Sequence, residues 1–167
     1  MKVMPGAAPT LLFDRHHLAI YRFLLRSTGE PETAEDLTQE VFLRAVRSAP
    51  ELDGDPGARA WLFRVARNLL IDRARRSERR PPSRSLETAP DHATPGSAGL
   101  RLELERALAA LDPTDREVFL MSQVGGLSYA EVAECTGSSA AAVRSRIFRA
   151  RCRLRQTLSG ADSRGGG

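Results

Sequence analysis

Arginines and carboxylates, grouped by sign, carry the chemistry available to this sequence. Of the 25 basic residues among 167, all but Lys2 are arginine, and they are not evenly spread. Between Arg59 and Arg80 eight arginines stand against only Asp72 and Glu78, and between Ala141 and Leu158 there are six arginines and no acid. Between Glu30 and Glu40 the pattern reverses, with five acids (Glu30, Glu32, Glu35, Asp36, Glu40) and no base. A guanidinium is a planar fork of donors that fits a phosphate, so the basic blocks point to nucleic acid. The acidic block points to a second, basic partner.

Other chemistry is poorly supplied. His16, His17 and His92 stand at no metal-ligand spacing from Cys135 and Cys152, and the two cysteines form no CxxC. Glu32, Asp36 and Glu40 share a helix face at i, i+4, i+8, but a helical di-metal site also needs a Glu-x-x-His partner, which is absent. No metal or cofactor site is therefore expected, although the carboxylates of Glu32–Glu40, read alone, also fit a nucleic-acid enzyme. Cys135 reads as a small apolar core residue and Cys152 as exposed. Two cysteines exclude a disulfide scaffold and suit a reducing cytoplasm. No apolar run approaches the roughly 20 residues of a membrane span, and no apolar stretch of signal-peptide length opens the chain, so a cytoplasmic location is expected.

These residues need helices to position them. Phe13, His17, Ile20 and Leu24 recur at helical spacing, widened by Leu18, Tyr21 and Leu25. Gly29 stops that helix, and Pro31 suits the first turn of the next, which turns Ala34, Leu37, Val41 and Ala45 inward. Asp55-Pro56 predicts the start of a long helix through Trp61, Val65, Leu69 and Asp72 towards Arg80. The stretch from Pro81 to Gly99 has four prolines and one leucine. It cannot bury enough apolar surface to offset its ordering entropy. The expected fold is all-α, with two small helical domains over 10–80 and 100–159, a flexible linker over 81–99 and a disordered tail over 160–167.

The second half carries the sharpest pattern. Asp112-Pro113 opens a helix through Val118, Phe119 and Met121, which Gly125-Gly126 ends. Ser128 and Glu131 form a capping box that starts a short helix with Ala130, Val132 and Ala133. Gly137 supplies a tight turn, and a last helix carries Val143, Ile147, Ala150, Leu154 and Leu158 on one stripe. A capped short helix, a glycine turn and a basic helix make a helix-turn-helix. On a helical wheel Ser145 and Arg149 lie opposite the stripe, and Arg144, Arg146, Arg151, Arg153 and Arg155 flank its edges. That layout suits a major groove, with an apolar back, a small or polar front and arginines towards both phosphate walls. Read alone, it also fits an operator-binding repressor or activator.

The run Leu111-Asp112-Pro113, Arg116-Glu117-Val118-Phe119, Gly126-Leu127-Ser128-Tyr129-Ala130-Glu131-Val132-Ala133 and Val143 to Arg151 resembles region 4 of the extracytoplasmic-function (ECF) sigma factors of the sigma-70 family. Ala34 to Ala45 resembles their region 2.2, and Trp61 to Asn68 with Asp72-Arg73 their regions 2.3 and 2.4. The resemblance implies a non-catalytic promoter-specificity subunit of bacterial RNA polymerase. It further implies docking on the clamp coiled coil of the largest polymerase subunit through Asp36, Gln39, Glu40, Leu43 and Arg44, and on the flap of the second. The −10 element would be met by Arg64, Arg67, Asn68, Arg73, Arg75 and Arg76, with Asp53 in the base-capturing loop Glu51–Asp55. Asn68 could instead serve a buried polar contact, and Trp61 reads as core packing rather than base stacking. The −35 element would be met by Ser139, Ala140, Ala141, Arg144, Ser145, Arg146, Arg149 and Arg151. Ala142 replaces the family's common Thr, so no base preference transfers. The resemblance also implies an anti-sigma partner.

Overall fold

Short-range chemistry sets most of the helix ends. The structure, a computed structural model, describes residues 7–48, 57–79 and 97–162, which contain seven helices and no strand. They are α1 (Ala7–Thr28), α2 (Pro31–Arg47), α3 (Ala58–Glu78), α4 (Ser97–Ala109), α5 (Pro113–Gln123), α6 (Tyr129–Thr136) and α7 (Ala140–Asp162). Gly29 follows α1 at φ +74°, and Pro31 occupies the first turn of α2. Asp112 caps α5 by accepting from the backbone N–H groups of Thr114 (2.9 Å) and Asp115 (3.3 Å). The Ser128–Glu131 capping box is complete: Glu131 N–H donates to Ser128 Oγ at 3.2 Å and Ser128 N–H to Glu131 Oε2 at 2.7 Å.

Gly137 closes α6 in the left-handed region, at φ +65°. A Cβ there would meet no atom within 4 Å, so only the backbone conformation resists a side chain. Gly137→Ala is therefore expected to lower stability in urea unfolding by about 1–2 kcal/mol, with no loss of packing.

Three boundaries differ from those read in the sequence. α1 begins at Ala7 rather than 10, α4 begins at Ser97 inside the expected linker, and α7 runs past 159 to Asp162. Small residues and one glycine cost a helix end only about 1 kcal/mol, which a long flanking helix tolerates. The rest of the expected linker, the expected cap at Asp55-Pro56, the loop Glu51–Asp55 with Asp53, and the tail beyond Asp162 lie outside the described residues.

In the first half α1 packs on α2, and α3 lies against both. Ile20, Phe23, Leu24, Val41, Leu62, Phe63 and Ala66 are fully buried there, and the rings of Phe23 and Phe63 meet at 5.3 Å between centroids. The expected α1 stripe holds at Ile20 and Leu24 and fails at its start. Phe13 stacks on His17 and meets Phe42 edge-on, but stays exposed, as does Leu18. In the second half α5, α6 and α7 form the helix-turn-helix, with α4 against α7. Val118, Met121, Val132, Val143, Ile147 and Ala150 make its core. Ala130 is exposed.

The two small helical domains pack against each other in this structure. α3 packs on α6, α1 touches α5, and the buried side chains of both halves form one continuous cluster. The reason lies in α3, which is apolar on two sides. Beyond the expected Val65 and Leu69, it buries Leu62, Phe63 and Ala66, and no single partner helix can cover all of them. Phe63 reaches Gly125, where an added Cβ would stand 2.6 Å from its ring.

Polar contacts frame this apolar seam. Arg59 Nη2 donates to both carboxylate oxygens of Glu131 at 3.1 Å. Arg67 Nε lies 2.9 Å from Glu117 Oε1, an ion pair whose buried N–H is not aimed at the oxygen and forms no hydrogen bond. Cys135 Sγ donates to the Ala60 carbonyl at 3.2 Å, and Arg116 Nη2 donates to the Arg26 carbonyl. Burial alone would raise the Glu131 carboxyl, but hydrogen bonds from Ser128 and Arg59 hold it below its ordinary range.

Candidate nucleic-acid interface

α7 sorts its residues by face. Val143, Ile147, Ala150 and Leu154 are buried against α5, α6 and α4, and they fix the rotation of the helix. Ser139, Ala141, Arg144, Ser145, Arg149, Arg151, Arg153 and Arg155 are exposed, while Arg146 is half-buried. Ser139 also caps the helix, its Oγ accepting from the Ala142 N–H at 3.1 Å. The solvent face thus carries small residues at its N-terminal end and arginines beyond them, the arrangement a groove-entering helix requires.

Arg149 differs from its neighbours. Its Nε and Nη2 donate to the two oxygens of Asp115 at 2.9 and 2.8 Å. Among the described residues no other α7 arginine makes an ion pair. The paired carboxylate raises the Arg149 guanidinium further above its ordinary value. Asp115 escaped the sequence reading because it lies 34 residues from Arg149, and no local spacing signals the pair.

The arginines of α3 divide into two groups. Arg75 and Arg76 are exposed, as is Asn68, which settles Asn68 away from a buried polar contact. Arg73 is exposed and pairs with Glu30 at 3.1 Å. Arg64 and Arg67 instead face the second half, 3.9 Å from Glu134 and 2.9 Å from Glu117. Trp61 is half-buried against the core, as expected for packing.

On α2, Asp36, Gln39 and Leu43 are exposed, and Glu40 and Arg44 pair with each other at 2.8 Å. Leu43 and Val46 add apolar surface to this acidic face, 52% and 54% exposed. Among the described residues no cluster of three metal-ligating side chains occurs, and no helix is long and apolar enough to cross a membrane.

Comparisons with known proteins follow the same division. Residues 12–80 match the sigma-70 region 2 family model and residues 101–154 the sigma-70 region 4 model. The ECF RNA polymerase sigma factor SigL of Mycobacterium tuberculosis (strain ATCC 25618 / H37Rv) is 39% identical over 154 residues, covering 88% of this chain and 86% of its own. SigM of the same strain is 30% identical over 147 residues, covering 88% and 75%. CnrH, solved in complex with the cytosolic domain of CnrY, superposes with a TM-score of 0.69 at 33% identity over 92% of this chain and 89% of its own. The sigma factor RpoE of Bartonella quintana, solved with the anti-sigma factor NepR, shares the fold with a TM-score of 0.72 at 23% identity over 90% and 96%. With both regions matched in order and SigL alike along most of its length, the chain belongs to the ECF RNA polymerase sigma factors of the sigma-70 family, alternative sigma factors that direct promoter-specific transcription initiation.

Proposed function

We propose that α2 docks this sigma factor on the clamp coiled coil of core RNA polymerase, that α3 meets the −10 element and that α7 reads the −35 element. Region 4 would also meet the flap of the second large subunit. The observation that carries this division of labour is the segregation of charge onto separate exposed helix faces. Asp36, Gln39 and Leu43 offer an acidic and apolar face to a basic coiled coil, and the α7 arginines offer a cationic face to a duplex. No residue of this scheme performs covalent chemistry, and the protein acts in the cytoplasm, where polymerase and promoter are.

The closed arrangement is read as the polymerase-free form. Of the candidate phosphate contacts for the −10 element, Arg67 is paired with Glu117 of region 4 at 2.9 Å, and Arg64 lies 3.9 Å from the exposed Glu134 of the same region. Core polymerase, by holding the two regions apart at promoter spacing, frees them and makes two weak DNA contacts act together. RpoE and CnrH, which share this fold over both halves, were solved with NepR and CnrY. An anti-sigma partner that holds the closed form would keep this chain off polymerase.

In vitro transcription with bacterial core polymerase on a random promoter library tests the reading directly. Initiation only in the presence of the chain is expected. Gln39→Ala and Glu40→Ala should each weaken core binding by about 1–2 kcal/mol while leaving the fold intact. Tight duplex binding by the chain alone, without stimulated initiation, would instead favour an operator-binding regulator.

A further inference from the structure

We propose that Asp115 is a positioning residue for promoter recognition, holding Arg149 so that the free edge of its guanidinium meets a guanine in the upstream element. This rests on α7 being the helix that enters the major groove. Asp115 lies in the first turn of α5, and its side chain is 10% exposed, whereas that of Arg149 is 60% exposed. A buried carboxylate and an exposed guanidinium, joined by two hydrogen bonds, fix both the reach and the plane of the arginine.

The atoms used decide what remains. Asp115 takes the Nε–Nη2 edge. The Nη1–Nη2 edge then points away from the carboxylate, with two parallel donors left. Two parallel donors match O6 and N7 of guanine, the bidentate pattern that distinguishes this base in the major groove. A free arginine must lose side-chain entropy to reach that geometry, and it settles equally well on a phosphate. Arg149 has already lost that freedom in the unbound protein. Its charge is also cancelled locally, so it gains little from a phosphate and more from a base.

This yields two opposed effects that loss of structure cannot imitate. Asp115→Asn should lower the preference for guanine at one upstream position by about 10-fold, the size of one bidentate contact. The same change exposes an unneutralised arginine, so binding to unrelated duplex should rise severalfold and depend more steeply on salt. Arg149→Ala should lose the same preference at the same position. The double variant should add nothing to base preference beyond Arg149→Ala, because Asp115 acts only through Arg149.

The experiment uses holoenzyme formed from the full chain and bacterial core polymerase, with promoter templates randomised over the upstream hexamer. Sequencing of the templates that support initiation gives the base preference at each position. If the wild-type chain initiates on no template, the sigma-factor reading fails before Asp115 is tested. If the wild type initiates and a folded Asp115→Asn keeps its full profile, or loses preference evenly at every position, the positioning role is overturned. Should Asp115→Asn not fold, Asp115→Glu keeps the negative charge in the first turn of α5 while displacing the fork by one carbon. It should restore stability and still depress the same single position, and an unchanged profile in that variant overturns the proposal equally.

Discussion

Phe63→Ala is expected to loosen both halves of the protein at once. Phe63 is fully buried, packs on Phe23 within region 2 and touches Gly125 at the end of α5. Truncating a buried phenylalanine costs about 3–5 kcal/mol, through lost transfer energy and the cavity left behind. That is a large share of the roughly 5–15 kcal/mol that holds a domain together. In a chain of this size it corresponds to a fall in melting temperature of about 10 °C, read by circular dichroism. A shift of only a degree or two would mean that the seam collapses around the missing ring.

The opposite change at the same contact should also destabilise. A Cβ at Gly125 would stand 2.5 Å from the Met121 carbonyl oxygen and 2.6 Å from the Phe63 ring. Overpacking of this kind costs about 1–3 kcal/mol. Because Phe63→Ala removes one of the two clashing neighbours, the double variant should lose less than the sum of the singles. Strict additivity would show that Phe63 and Gly125 do not share a contact in solution.

The sequence made the local devices legible and left the long-range ones hidden. Pro31, the Asp112 cap, the Ser128–Glu131 box and Gly137 each act within four residues, so their chemistry shows in order along the chain. The α7 stripe was legible for the same reason: Val143, Ile147, Ala150 and Leu154 face one way because 3.6 residues make a turn. Burial of Leu62, Phe63 and Ala66 was not legible. A helix apolar on two sides reads as a weak stripe until its second partner is known, and that partner, α6, begins more than 60 residues later. The same blindness hid Arg67–Glu117 and Arg149–Asp115. An arginine looks identical in sequence whether it faces solvent, a phosphate or a carboxylate, and only the three-dimensional fold decides. Phe13 and Leu18 show the converse error, since their spacing fits the stripe but, among the described residues, that end of α1 is covered only in part, by Phe42 of α2.

Closure of the two regions has a chemical reporter in Cys135, and its labelling should change by about 100-fold on opening. The thiol is 5% exposed and donates to the Ala60 carbonyl across the seam. Burial pushes it from its ordinary 9 up to about 11; Glu134 and Glu131 add to the rise, while Arg64 and Arg67 oppose it. Only the thiolate attacks a maleimide, so two pKa units cost the closed form about 100-fold in reactive species at pH 8, before access is considered. Cys152, half-buried on α7, serves as the internal control. With N-ethylmaleimide and peptide mass spectrometry, Cys152 should label first and Cys135 should lag far behind. Core polymerase that parts the two regions should bring Cys135 towards the rate of Cys152. The direction with pH follows from the proton count. Between about 9 and 11 the closed form keeps a proton that the open form has lost, so rising pH weakens closure over that window and has no such effect below it. Equal labelling of both cysteines in the free chain would show that the seam is open without polymerase. A Cys135 still protected in a holoenzyme that initiates RNA synthesis would show that initiation does not require the seam to part.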